Sequence, residues 1–318
     1  MPTKYGGDDL SFRKQRVRYP LSTRRLIRLS QARTSTHSAL HIPSAAKTAF
    51  GPPFAGREAV IHHGGSMRIN LLGPLELQEE DLTLDIPGEK LRTIVATLAL
   101  TPGQGVSRDD LIDELWGELP PHNAANSLQG HVVRLRRLLA ERSGKPWMRD
   151  ILRTSRSGYL IDAQAVAVDA VHFCALVDEA AGLTGAPERT AAKLRQALAL
   201  WRGPALVDAG QGMICRIAYA GLEATRMIAR EQLIDAQLAL GQHRLLVPEL
   251  ERLHSQFPLQ ERFCEQLMTA LYRCGQQADA LNVYQQIRQR LGRELGLEPG
   301  PGLQAQLQQI LQPIHRAA

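Results

Sequence analysis

The stretch Asn126–Ala140, NSLQGHVVRLRRLLA, constrains this chain more than any other. At about 100° per residue, Leu128, Val132, Leu135 and Leu139 share one narrow helical stripe. The opposite face carries Asn126, Gly130, Val133, Arg134 and Arg137, with Ser127, Gln129 and Arg136 at its margins. Such a helix buries one side in a core and leaves amide, hydroxyl and guanidinium groups on the other. Asn, Gln and Arg are the side chains that reach base edges or phosphates in a DNA major groove, and a glycine among them permits close approach. Taken alone, the pattern is better described as an amphipathic surface helix with a solvated arginine cluster. The neighbouring segments decide between the two.

Upstream, Met67–Leu77 reads as a strand interrupted at Gly73-Pro74, and Asp81–Ile86 alternates as a second strand until Pro87-Gly88 breaks it. Glu89–Leu100 carries Leu91, Val95, Leu98 and Ala99 at helical spacing and is closed by Pro102-Gly103. Ser107, with Asp110 three residues on, opens the next helix as a capping box made with Asp. That helix should bury Leu111, Ile112, Leu115 and Trp116, and Asp109 and Asp110 suit the positive end of its dipole. After a Pro120-Pro121 loop, Asn123 or Asn126 can cap the Asn126–Ala140 helix. Ile151–Thr154, a turn at Ser155–Gly158 and Tyr159–Ile161 then form a short hairpin.

A strand pair, three helices and a closing hairpin predict a winged helix-turn-helix, whose recognition helix enters the major groove. IDELWG, NSLQGHVVRLRRLL and RTSRSGYLI, in this order and spacing, resemble the response-regulator output type of that fold. Chemistry assigns the roles. Arg134, Arg137, Asn126 and Gln129 are the base-edge candidates, Gly130 lets the backbone approach, and Val133 can meet a thymine methyl. Ser127, His131, Arg136, Arg153, Thr154 and Arg156 read as phosphate contacts, and Lys90 and Arg92 as a backbone clamp at the start of the first helix. Tyr159 is either buried beneath the wing or stacked toward the sugar-phosphate chain, and Trp116 is core.

The net charge of +6 and pI near 9.3 invite a nucleic-acid reading, but position matters. Of 38 basic and 32 acidic residues, 11 and 3 lie in residues 1–66, leaving 27 and 29 for the remainder. The basic pI thus belongs to the first 66 residues. The informative asymmetry is local: His131–Ile161 holds eight basic residues against Glu141 and Asp150, after an acid-rich segment. Four widely spaced cysteines, Cys174, Cys215, Cys264 and Cys274, form no CxxC pair and read as reduced core residues, with no metal site. No run approaches the length of a membrane span.

Residues 1–66 are rich in Arg, Ser, Thr and Ala without periodicity, and are expected to be a disordered basic tail, at most transiently helical near Thr23–Gln31. Three explanations stay open: a transit peptide by composition, a basic arm adding non-specific DNA affinity, or a start codon assigned too far upstream of Met67. His62-His63 lacks the neighbours of a metal pair.

From Asp169 the chain is helical in pattern: Val171–Ala181, Glu188–Trp201, and Ile217–Leu240 with Leu222, Ile228, Leu233 and Leu238 apolar. Gly241-Gln242 and Gly275-Gln276 stand 34 residues apart, each followed by an amphipathic helix, with Ala278 and Ala280 as close-packing positions. That period is tetratricopeptide-like. WRGPAL (201–206), PLQERFCEQLMTALYRCGQQADAL (258–281) and RELGLEPGPGLQ (293–304) resemble the bacterial transcriptional activation domain. A winged helix followed by that domain resembles the Streptomyces antibiotic regulatory protein family, over about residues 67–312 and in a small two-domain form without ATPase or sensor extensions.

The expected fold class is therefore mainly α: a tail (1–66), a winged helix-turn-helix of α+β type (67–165) and an all-α, tetratricopeptide-like activation domain (166–318). The resemblance implies a cytoplasmic, nucleoid-associated activator of a secondary-metabolite gene cluster. It would bind direct repeats in double-stranded promoter DNA, recruit RNA polymerase holoenzyme through Gly117–Ala125, and self-associate on DNA. No cofactor is implied. A helical-repeat protein–protein adaptor without specific DNA binding is the alternative. An enzyme finds no support, because P-loop, HExxH and nucleophile-elbow motifs are all missing from the sequence.

Overall fold

The computed structural model describes residues 67–210 and 212–312, so the expectations for residues 1–66, including His62-His63, lie outside the described residues. Two small sheets and ten helices follow in chain order among the described residues. Strands β1 (Met67–Asn70), β2 (Glu76–Glu79) and β3 (Leu82–Leu84) form an antiparallel meander, with Ile69 opposite Leu77 and Leu77 opposite Leu84. Helices α1 (Glu89–Ala99), α2 (Arg108–Trp116) and α3 (Ala124–Ser143) come next, with the two-residue strand β4 (Val106–Ser107) before α2. A 3₁₀ turn (Pro146–Ile151) leads into β5 (Leu152–Thr154) and β6 (Gly158–Ile161), which complete a second sheet in the order β4-β6-β5. This is a winged helix-turn-helix.

Gly158 is required at the wing, because a Cβ there would stand 1.9 Å from the Val106 carbonyl oxygen of the paired strand. Ser107 caps α2 as predicted, its Oγ accepting the Asp110 N–H at 3.0 Å.

Between the closing hairpin and the helical half, residues that carry no evident element in the sequence form a strand, β7 (Val166–Val168), parallel to β1 and closing the first sheet in the order β3-β2-β1-β7. It buries Val166 and Val168 and exposes Ala167 between them, an alternation too short to stand out from a loop. Seven helices follow: α4 (Asp169–Ala181), α5 (Pro187–Ala199), α6 (Met213–Ala239), α7 (His243–Gln256), α8 (Glu261–Arg273), α9 (Gln277–Leu295) and α10 (Pro301–Leu311). Gly241 and Gly275 make the repeated turns at φ of +75° and +81°, a region L side chains rarely occupy.

Two expectations in this half are corrected. Ala280 is buried but Ala278 lies exposed on the first turn of α9. Ile228 is 48% exposed, because six residues after Leu222 the helix has turned about 120° off the buried face. Ala229, one step further, occupies the core position instead.

The apolar interior divides inside α6. One core runs from Met67 to Ala229 and joins the winged helix to α4, α5 and the first half of α6. The other runs from Ile234 to Ile310. Three carboxylates, two of them buried, bind the first core together. Asp169 Oδ1 and Oδ2 accept the Leu71 and Leu72 N–H groups at 2.6 and 3.0 Å. Burial pushes the Asp169 carboxyl above its usual range, and those two N–H groups and Arg202 pull it back. Asp208 accepts the Leu75 N–H at 2.8 Å, and Glu114 of α2 accepts the Ile214 and Cys215 N–H groups at the start of α6 at 2.7 and 2.9 Å.

Candidate nucleic-acid interface

Helix α3 is anchored by Leu128, Val132, Leu135, Leu138 and Leu139, all buried. Each is worth about 1.5–3 kcal/mol against leaving it in water, which fixes the helix's rotation as well as its place. The predicted stripe is therefore the buried one, with Leu138 added at its edge. The helix starts two residues earlier and ends three later than expected. Asn123 stands at the N-cap without a side-chain cap bond, and Asn126 lies within the first turn. At the other end Ser143 Oγ donates to the Leu139 carbonyl at 2.6 Å, and Gly144 turns left-handed at φ +68°.

The outward face presents Asn126, Gln129, Gly130, Val133, Arg134 and Arg137 to solvent, with Val133 56% exposed. A Cβ at Gly130 would meet nothing within 4 Å, so nothing inside the protein demands glycine there. Arg134 makes no hydrogen bond or ion pair with any of the described residues. Arg137 has only an exposed pairing with Glu141 at 3.6 Å, a contact of little energetic weight. Ser127 and His131 sit at the margin, half-buried. The His131 ring stacks on Trp116, centroids 6.1 Å apart. Burial, then the cations of Arg134 and Lys90, hold its pKa below the usual histidine value.

The wing stands beside the second half of this helix. Arg136 is half-buried and ties the two together, donating from Nε to the Leu152 carbonyl and from Nη2 to Thr154 Oγ1, both at 2.9 Å. Arg153 pairs with Asp162 at 2.5 Å while staying 60% exposed. Arg156 stands exposed at the tip of the β5–β6 turn, which Ser155 closes by accepting the Gly158 N–H at 3.0 Å. Of the two readings of Tyr159, the buried one holds, at 5% exposure.

Arg92 is not gathered with these groups, while Lys90 lies near His131 but is engaged within the protein. Lys90 donates to the Leu115 carbonyl at the end of α2, beneath Trp116. Arg92 reaches Asp208, its Nε donating to the Asp208 carbonyl at 3.0 Å, and also binds the Ile86 carbonyl. Both hold elements together inside the protein.

Between α2 and α3 the loop spans 117–123, since Ala124 and Ala125 already belong to the helix. Leu119 is 86% exposed there, next to Glu118 in the chain, and Asp109, Asp110 and Asp113 are exposed along α2. Sequence reasoning missed the 3₁₀ turn, which carries Arg149 beside the wing; its only signal was the Pro146 that opens it.

An exposed, acid-poor recognition helix on a winged-helix body, fused through a common core to a helical-repeat half, defines a transcriptional regulator of the winged-helix class. Residues 87–161 match the family described as transcriptional regulatory protein, C terminal, and residues 168–311 match the bacterial transcriptional activator domain. The transcriptional regulator RedD of Streptomyces coelicolor is 44% identical over 254 residues, covering 80% of this chain and 73% of that protein. The regulatory protein DnrI of Streptomyces peucetius is 37% identical over 258 residues, covering 79% and 93%. A solved structure of Mycobacterium tuberculosis EmbR, in complex with a low-affinity phosphopeptide, superimposes with a TM-score of 0.70 at 31% identity, covering 78% of this chain and 66% of that one. The chain belongs to the Streptomyces antibiotic regulatory protein family of transcriptional activators. No helix among the described residues is long and apolar enough to cross a membrane.

Proposed function

We propose that this protein activates transcription of a secondary-metabolite gene cluster by binding direct repeats in double-stranded promoter DNA. The observation that carries the reading is the solvent-facing side of α3, where Arg134 stands unpaired among the described residues. Asn126, Gln129, Arg134 and Arg137 read base edges, while Gly130 and Val133 shape the fit. Ser127, His131, Arg136, Arg153, Thr154 and Arg156 grip phosphates. Lys90 and Arg92 are engaged by Leu115, Asp208 and Ile86 rather than by DNA. The protein works as a regulator in the cytoplasm at the nucleoid, with no catalytic step of its own.

The exposed Leu119 loop and the acids of α2 offer RNA polymerase a mixed apolar and acidic surface. Protomers on tandem repeats bind side by side, so occupancy grows through effective concentration rather than one tight site. Duplexes selected from a random pool, followed by gel shifts, test the reading. Arg134→Ala with Arg137→Ala should lower affinity for selected duplexes by about 1–3 kcal/mol per lost base contact and relax the preference. Unchanged selection by the double variant sinks the assignment. A wild-type protein that prefers no duplex favours a helical-repeat adaptor.

A further inference from the structure

Beside the recognition face lies a cleft of about 590 Å³, lined by Arg136, Arg149, Asp150, Leu152, Arg153 and Thr154. It is built from three elements: the middle of α3, the 3₁₀ turn and strand β5. We propose that this cleft is a phosphodiester-binding site in which Arg149 contacts the DNA backbone and Asp150 opposes it. The proposal rests on the DNA-binding reading above and extends it to a segment that reading leaves out.

Three guanidinium groups line one open cleft against a single carboxylate, and they differ in freedom. Arg136 is fixed by the Leu152 carbonyl and Thr154. Arg153 is held from behind by Asp162, which is only 17% exposed. Arg149 has only Asp150, its chain neighbour, at 3.9 Å, with the two side chains 63% and 75% exposed. The turn's other cation, Lys145, is already taken by Glu79 and Glu80 at 2.5 and 3.2 Å. Arg149 is therefore the cation of this region held only by an exposed chain neighbour. A cation held only by a solvated neighbour exchanges that partner readily for a phosphate, to which a guanidinium donates two hydrogen bonds in its own plane. The cleft is several times larger than one phosphate group, which suits a passing backbone with its water rather than a captured ion.

Because phosphate contacts position without reading sequence, the site has its own signature in salt titrations of the full chain. The probes are a mixed-sequence duplex and a duplex selected from a random pool. Arg149→Ala should weaken binding to both by the same factor and reduce the slope of log K against log salt by about one unit, while Arg149→Lys keeps most of that slope. Asp150→Asn should act the other way, tightening binding to both, a gain that a merely structural role for the turn does not produce. Both side chains are exposed, and melting curves check that the variants stay folded. An Arg149→Ala slope equal to wild type, with Arg134→Ala still losing sequence preference, overturns the cleft and leaves the DNA reading standing. A wild-type chain that binds neither duplex at low salt overturns both.

Discussion

His131 stands where the interface meets the core, with its imidazole half-buried on Trp116 and facing the cations of Arg134 and Lys90. Burial and both cations favour the neutral ring, so its pKa lies below the ordinary value of about 6.5. A histidine shifted down stabilises the fold above pH of about 6.5, and that contribution is lost as acid protonates the ring in the folded state. His172 and His254 are shifted the same way by burial, so the melting temperature should fall between pH 7.5 and about 6. Asp169 and Glu231, raised by burial, act oppositely, in a window that runs upward from the ordinary carboxylate value. A phosphate placed against His131 reverses the local balance by favouring the imidazolium. DNA affinity at fixed salt should then rise on going from pH 8 to pH 6, by up to about tenfold for each unit by which DNA raises the pKa. His131→Gln should flatten that rise. A wild-type affinity independent of pH would remove His131 from the list of phosphate contacts.

At the scale of elements, the joint between α2 and α6 is held by one buried side chain. Glu114 is 5% exposed, and its two oxygens accept the N–H groups of Ile214 and Cys215 in the first turn of α6. A carboxylate at that position satisfies donors the helix cannot satisfy itself and meets the positive end of its dipole. Glu114→Ala should cost about 2–4 kcal/mol, from two charge-assisted bonds lost and two buried donors left bare, and Glu114→Gln distinctly less. Thermal unfolding checks this, and a loss below about 0.5 kcal/mol would mean that water replaces the carboxylate at no cost. IDELWG marked a helix in the sequence, yet Glu114 looked like any acid on its open side, since the partner lies a hundred positions away. The same limit explains what else was legible. The Leu128–Leu139 stripe, the Ser107 cap and the Gly turns are written in local spacing, and the structure carries each of them. Strand β7, the partners of Lys90 and Arg92, and the 3₁₀ turn depend on tertiary pairing, which short-range periodicity does not encode. On α3 the outward side chains were legible because burial of one face dictates the other.

Across the whole molecule, the boundary drawn from motifs and the boundary drawn by packing fall in different places. The matched families separate between Ile161 and Val168. The apolar core instead continues through Phe173, Leu176, Leu194, Leu206 and Leu222 and stops within α6. The WRGPAL segment supplies part of the reason. The Arg202 and Leu206 N–H groups donate to the Leu72 and Leu71 carbonyls at 2.7 and 2.9 Å, and the Arg202 side chain pairs with Glu76 at 2.8 Å. The loop between β1 and β2 is thus completed by residues from the helical half, while β1 itself takes β7 as its parallel edge. A fragment of residues 67–165 loses β7, the Asp169 carboxylate and the cover over Leu71 and Leu72 together. Its deficit runs to several buried aliphatic side chains at about 1.5–3 kcal/mol each, comparable with the entire stability of an ordinary domain. It should show no cooperative thermal transition. A fragment of residues 67–241 keeps the first core and all of α6, and should unfold cooperatively and retain the sequence preference of the full chain. Circular dichroism melts of the two fragments, with gel shifts on selected duplexes, separate the alternatives. A 67–165 fragment melting close to the full chain would show that the winged helix is self-sufficient and that the helical half merely rests against it.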